Sequence, residues 1–229
     1  NWIQALEYRA NAVVGLVAIV SGLFIEYQIW SLIFETKGYE TINNFEFNEL
    51  IVFIFLSIII GQLKSSWHSS GEMIRAIRSG EINKYLIRPI SYFWYHLMMF
   101  IGFNSLYYIV YSLILIAFTL IFPSMIFHTL LSVLCFTLAL ILSIFLSYCI
   151  YFIMICFAFW FGEVRSLVVA YNLAMLILSG QYIPIRFFPE KILNAIYWTP
   201  IRFLVDFPVS IATGVLPQSE WGIGFIGAV

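Results

Sequence analysis

Charge is what this chain has least of. Asp, Glu, Lys and Arg make up 10% of its 229 residues, against 62% hydrophobic ones, whereas a soluble domain carries about 25% charged residues. Mean hydropathy is +0.97. So few charges cannot cover a soluble surface, which excludes an ordinary soluble enzyme and points to an integral membrane protein. No basic tract with interleaved aromatics suggests nucleic acid, and the net charge of −1 adds nothing in its favour. Cysteine is scarce too. Cys135, Cys149 and Cys156 lie in apolar runs; an odd set without metal-ligand spacing reads as small buried or lipid-facing side chains, not a disulfide framework.

The short motifs that carry chemistry are missing as well. No Gly-x4-Gly-Lys-Ser/Thr loop is present, so the chain cannot cradle ATP by that mechanism. His-Glu-x-x-His, Cys-x-x-Cys and the nucleophile elbow are absent, and Ser, His and Asp are merely scattered. No catalytic, cofactor or metal site is expected, and energy for any work must come from elsewhere. The opening residues lack the basic leader, apolar core and small-residue cleavage site of a signal peptide. The chain starts on Asn1 and stops within an apolar stretch, Trp221 to Val229, so both ends are expected to be incomplete.

Apolar length is what the sequence has. A spanning helix needs about 20 predominantly apolar residues. Five runs qualify: Ala10–Phe34, Leu50–Leu63, Tyr92–Phe122, Met125–Phe161 and Val164–Ile183, with another helix beginning near Trp221. The second is short; the third and fourth exceed a simple crossing and should tilt, bend or project. Pro123-Ser124 reads as a tight turn, and Gly162-Glu163-Val164-Arg165 as the next one. Trp94, Tyr95, Trp160, Trp198 and Trp221 fall near run ends, as interface belts do. The expected fold class is all-α: a polytopic integral membrane protein with six transmembrane helices, the sixth truncated, as one domain over 1–229.

Basic residues set the orientation. Lys64, Arg75, Arg78, Lys84 and Arg88 crowd the loop after the second run, against Glu72 and Glu81. With Arg9 and Arg165 they mark the cytoplasmic side. Lys37, Arg186, Lys191 and Arg202 fall outside, beside an acidic first loop holding Glu40 and Glu46. Both termini are then inside.

Two segments break the pattern. In the basic loop, Ser69 and Glu72 form a capping box. Met73, Ile74 and Ile77 make one apolar stripe while Arg75 and Arg78 project elsewhere, and Gly80 suits the position past a helix end. A short amphipathic helix over about Ser70–Ser79 is expected along the inner surface, followed by a segment that Pro89 stops. The alternative is a solvated, headgroup-bound loop. The second segment is Ser179–Gly214, cut by Pro184, Pro189, Pro200 and Pro208 into pieces too short to span. Ile192, Leu193, Ile196 and Tyr197 share a face of a helix starting near Pro189, and an apolar piece follows from Ile201 to Val209. Such a re-entrant pair is tolerated only where protein or a water-filled cavity surrounds it.

These segments carry a resemblance. IRSGEINKYLIRPIS resembles the loop of the ABC-2 type exporter permeases, in which a basic residue, a small residue and glycine precede a leucine and an Arg/Lys-Pro pair. LSGQYIPIRFFPEKILNAIYWTPIRFLVDFPVSIATG resembles that family's outer segment, where Ser-Gly and a proline end the fifth helix before two short helices with spaced prolines. AFWFGE is similar to the single-domain branch of about 260 residues. The resemblance implies a permease subunit of an exporter in a bacterial-type plasma (inner) membrane, paired with a second copy or a sister permease. It implies a separate ABC ATPase subunit that holds ATP and Mg, this chain binding no cofactor. It implies a coupling segment at Met73, Ile74, Arg75, Ile77, Arg78, Gly80, Glu81, Leu86, Arg88 and Pro89. The pathway or gate would involve Glu26, Asn172, Ser179 and Gly180, and the exterior cap the four prolines of the outer segment. The amphipathic helix that usually precedes the first span is mostly missing, with Trp2–Tyr8 as its end.

Other polar residues keep two readings. Glu26 is a pathway residue, or a packing contact near the outer interface. Asn172 and Asn104 line a pathway or bond between helices. His96 and His128, near run ends, are interfacial or relay protons. Glu163 and Arg165 meet an ATPase or each other. Ala18 and Gly22 permit close helix approach, within the subunit or at a dimer seam. Two other functions stay open: an ion-gradient-driven transporter or channel, and a scaffold passing force to other proteins.

Overall fold

The apolar runs fold as helices, because a backbone without water partners must satisfy its hydrogen bonds internally. In the computed structural model, residues 2–228 are described except 39–40, 44, 65–66, 88 and 198, with backbone alone for 2–16, 18–19, 37, 67–70, 86, 103, 106, 226 and 228. α1 runs unbroken over Trp2–Lys37, so the expected end of a separate leading helix at Trp2–Tyr8 is its first turns. A minimal antiparallel hairpin follows, β1 Thr41–Ile42 on β2 Phe45–Glu46, an addition to the all-α expectation. It leads into α2, Phe47–Leu63. Then come α3 Trp67–Arg78, α4 Asn83–Leu86 and α5 Tyr92–Ile121.

α5 is bent by 52° between Tyr92–Gly102 and Tyr107–Ile121. Pro123-Ser124 makes the expected tight turn, closed by the Met125 N–H on Phe122 O at 3.2 Å, but the helix does not resume directly after it. The connection runs from Phe122 to Thr129, because Ile126 is 1% exposed and the Phe127 N–H bonds Ala212 O at 2.8 Å, pinning the loop to the far end of the chain. Hence α6 begins at Leu130, not Met125, capped by Thr129, whose hydroxyl accepts from the Ser132 N–H. It runs to Cys156, and α7 continues it over Ala158–Phe161.

Gly162, at φ +70°, turns the chain into α8, Arg165–Leu178. α8 stops short of Ile183 because Gly180 takes φ +83°. α9 Glu190–Tyr197, a 3-10 turn at Pro200–Leu204, α10 Asp206–Ala212 and α11 Gln218–Ala228 complete the chain. Pro208 lies in the first turn of α10, where its missing N–H costs nothing. Among the described residues, Leu130–Phe161 is the one helical unit long and apolar enough to cross a membrane alone, and the bent α5 pair makes a second if it counts as one span. α2 and α8 are shorter apolar helices.

The largest core cluster joins Trp30 and Phe34 of α1, most of α2, Phe136 and Ala139 of α6, and Phe203 to Ala212. α10 therefore lies inside the bundle against α2, α6 and α11. Ser143 Oγ donates to Leu204 O at 2.5 Å, tying the proline-cut segment to the middle of α6.

Candidate functional site

The basic loop is held by its apolar side. Met73 and Ile74 are 1% and 3% exposed, in one cluster with Tyr151, Met154 and Ile155 of α6, Ala158 of α7, and Val164 and Val168 of α8. Burying two such side chains contributes about 1.5–3 kcal/mol each, enough to seat a helix whose 12 residues would be marginal alone in water. Met73 and Ile74 thus face their own chain. The surface left for a partner is Glu72, Arg75 and Arg78, then Gly80 and Glu81, all exposed. Ile77 is half-buried beside the same cluster.

α3 begins at Trp67, two residues before Ser69. The Ser69–Glu72 box therefore falls inside the helix; a cap worth about 1 kcal/mol gives way to the larger burial of the Met73–Ile74 face. Past the helix, Gly80 has φ +74° and its N–H bonds Ile77 O at 3.2 Å. In the next turn Lys84 bonds Glu81 at 3.0 Å, and that hydrogen bond holds the Glu81 carboxyl below its usual range. Leu86 is in α4, with its side chain outside the described residues, and Arg88 lies outside them altogether; Pro89 is exposed. Tyr85 rests on the rings of Tyr92, Tyr95 and His96, joining α4 to the start of α5.

Arg78 pairs with Glu163, in the turn before α8. Glu163 also accepts from the Arg165 N–H at 3.1 Å. One carboxylate thus ties α3 to the α8 N-terminus, a link between residues 85 positions apart that spacing alone does not disclose.

A second polar place lies where α2, α6 and α8 meet. Asn172 Oδ1 accepts from the Tyr151 hydroxyl. Both line a cavity of about 290 Å³ with Lys64, Tyr171 and Gln181. Gln181 reaches it because Gly61 has no side chain: a Cβ there would collide with the Gln181 carboxamide. Lys64 is 7% exposed, and Ser147 Oγ donates to its carbonyl at 2.9 Å.

Ser179 and Gly180 do not line this cavity. They form a joint: Ser179 O accepts from the Asp206 N–H at 3.2 Å, and a Cβ on Gly180 would stand 3.1 Å from Ile185 Cγ1. Glu26 is away from it as well, half-buried on α1 and accepting from Trp30 Nε1 at 3.1 Å. Asn104 donates to Phe100 O in its own helix. His96 is 6% exposed among tyrosines, while His128 lines a third place, a cavity of about 460 Å³ with Asn43, Glu49 and Arg186. Pro184, Pro189 and Pro200 each sit at the entry to a helical turn.

A helix seated by its apolar face, its basic face exposed, and a buried proline-cut segment are two distant features of one chain. The model of the family described as "ABC-2 family transporter protein" matches residues 20–228. The chain belongs to that family. It is accordingly an ABC-2 permease, a membrane component of ABC transport and not itself the catalytic subunit. No curated protein and no solved structure matches the chain. In the permease, the match covers both the basic loop and the proline-cut segment.

Proposed function

We propose that this permease forms the translocation pathway of an exporter with a second permease copy or a sister subunit, driven by a separate ABC ATPase that binds ATP and Mg. Six spans are assigned to α1, α2, α5, α6 with α7, α8 and α11. The basic loop lies in the cytoplasm of a bacterial-type inner membrane, and the segment from Pro184 to Pro208 caps the far side.

The observation that carries this is the two-sided seating of α3. Its buried face packs on α6, α7 and α5, while Arg75 and Arg78 remain exposed. A push by an ATPase on that face would pass through Met73 and Ile74, and through the Arg78–Glu163 pair, into α6 and α8. The loss of a charged contact would change coupling without unfolding the bundle.

The test is purification of the full-length protein in mild detergent, with mass spectrometry of what accompanies it. A stoichiometric subunit carrying a P-loop is expected. A protein that stays alone across several detergents overturns the coupling assignment.

A further inference from the structure

Lys64 is placed where a lysine is costly. It is 7% exposed, and no carboxylate pairs with it among the described residues. A buried charge without a partner is strongly unfavourable, so a retained lysine needs a counter-charge that the described residues do not supply. Its surroundings add donors. The Tyr171 hydroxyl and Asn172 Nδ2 are buried without a hydrogen-bond partner, and both residues line the same cavity as Lys64. Asn172 Oδ1 accepts from the Tyr151 hydroxyl, which leaves its N–H groups for other partners. Gln181, 4% exposed, closes the wall over Gly61.

Among the described residues, no Asp or Glu lines this cavity. Its polar lining is Lys64, the amides Gln62, Asn172 and Gln181, and the hydroxyls of Ser147, Tyr151 and Tyr171; one cation with the unpartnered Tyr171 O–H and Asn172 N–H complements an acceptor-rich anion. Its volume, about 290 Å³, is at the lower end of the roughly 300–1,000 Å³ usual for small-molecule sites. The rim is apolar: Leu173 on α8 is 61% exposed and lines the same opening.

We propose that the cavity between α2, α6 and α8 binds the phosphate- or carboxylate-type head of an acidic amphiphile, with Lys64 as its counter-charge and Tyr171 and Asn172 as hydrogen-bond donors. The apolar chain leaves past Leu173. This deepens the permease reading and rests on it only for the ligand's being cargo; binding itself does not depend on an ATPase.

The probe is ³²P-labelled dodecyl phosphate, measured by equilibrium binding to the full-length chain, with any subunit that accompanies it, in neutral maltoside detergent. Saturable binding is expected, competed poorly by dodecyltrimethylammonium. Lys64→Gln should weaken it roughly tenfold or more, the scale of one lost charge-assisted hydrogen bond, and Lys64→Arg should restore most of it. Tyr171→Phe, which removes only an unpartnered hydroxyl, should weaken it about threefold and serves if Lys64→Gln does not fold. Binding absent, unchanged in Lys64→Gln and Tyr171→Phe, or matched by the cationic competitor overturns the proposal. Competition by inorganic phosphate alone upholds the site and assigns it to a free anion. Stimulated ATP hydrolysis with movement of the probe into proteoliposomes assigns it to cargo, and binding without stimulation to a resident acidic lipid. If no ATPase accompanies the chain but binding follows Lys64, the site stands and the permease reading fails.

Discussion

Single residues carry different weights according to what faces them. Gly180 combines φ +83° with Ile185 and Asp206 closing in at 3.1 and 3.3 Å from a would-be Cβ, whereas Gly22 has nothing within 4 Å. Gly180→Ala should therefore destabilise by about 1–3 kcal/mol, read as a lower Tm of the detergent-purified protein, while Gly22→Ala leaves Tm unchanged. Equal Tm values for the two variants would show that the Ser179–Asp206 joint is not structural. The Ser-Gly pair at the end of an apolar run is visible in the sequence. Asp206, its partner in space, is not, because no local pattern joins positions so far apart. The Arg78–Glu163 pair was hidden for the same reason. Both side chains are about half exposed, at 55% and 45%, and such pairs contribute only about 0–1 kcal/mol. Arg78→Glu should leave stability nearly unchanged but reduce substrate-stimulated ATP hydrolysis, and adding Glu163→Arg should restore it. A double variant no better than the single one would remove the pair from the coupling route.

At the level of elements, α3 shows where sequence periodicity succeeds and where it stops. Met73, Ile74 and Ile77 against Arg75 and Arg78 disclose an amphipathic helix near its observed span, Trp67–Arg78. They do not disclose what the apolar side meets. The structure turns it onto α6, α7 and α5, so Ile74→Asp would bury an unpaired charge at a cost of several kcal/mol. The helix should then lift off, and trypsin should cut at Arg75 and Arg78 faster than in the parent protein. Unchanged digestion would mean that the seating is not what holds α3. Gly80→Pro acts on the following turn. Proline fixes φ near −65°, whereas Gly80 has φ +74° and donates its N–H to Ile77. The expected result is a folded protein whose ATP hydrolysis no longer responds to substrate; a normal response would separate this turn from coupling. Start signals were less decisive than burial. The Ser69 box was overridden by a buried face, while Thr129, a cap absent from the sequence reading, starts α6 because the preceding loop is pinned to Ala212.

Across the whole molecule, length matters more than helix number. Leu130–Phe161 has 32 residues, about 48 Å of helix, against a hydrocarbon core of about 30 Å. α8 has only 14, about 21 Å. One end of the long unit should project, and the short one should end inside, where the Ser179–Gly180 joint meets the proline-cut segment. In a cysteine-free background, a cysteine at Glu163 should react with a membrane-impermeant maleimide only from the cytoplasmic side, and one at Lys191 only from outside. Labelling of both from one side would overturn the assigned orientation. Composition alone decided that the chain is a membrane protein, since so few charges cannot solvate its surface. Apolar run lengths placed most helices, because helix formation depends on near neighbours in sequence. Tertiary structure decided the rest: which way α3 faces, that α10 is enclosed by α2, α6 and α11, and that Lys64 shares a cavity with Tyr171 and Asn172. Those outcomes depend on contacts between distant segments, whose pairing is settled only when the bundle closes and each buried group must find, or fail to find, a partner.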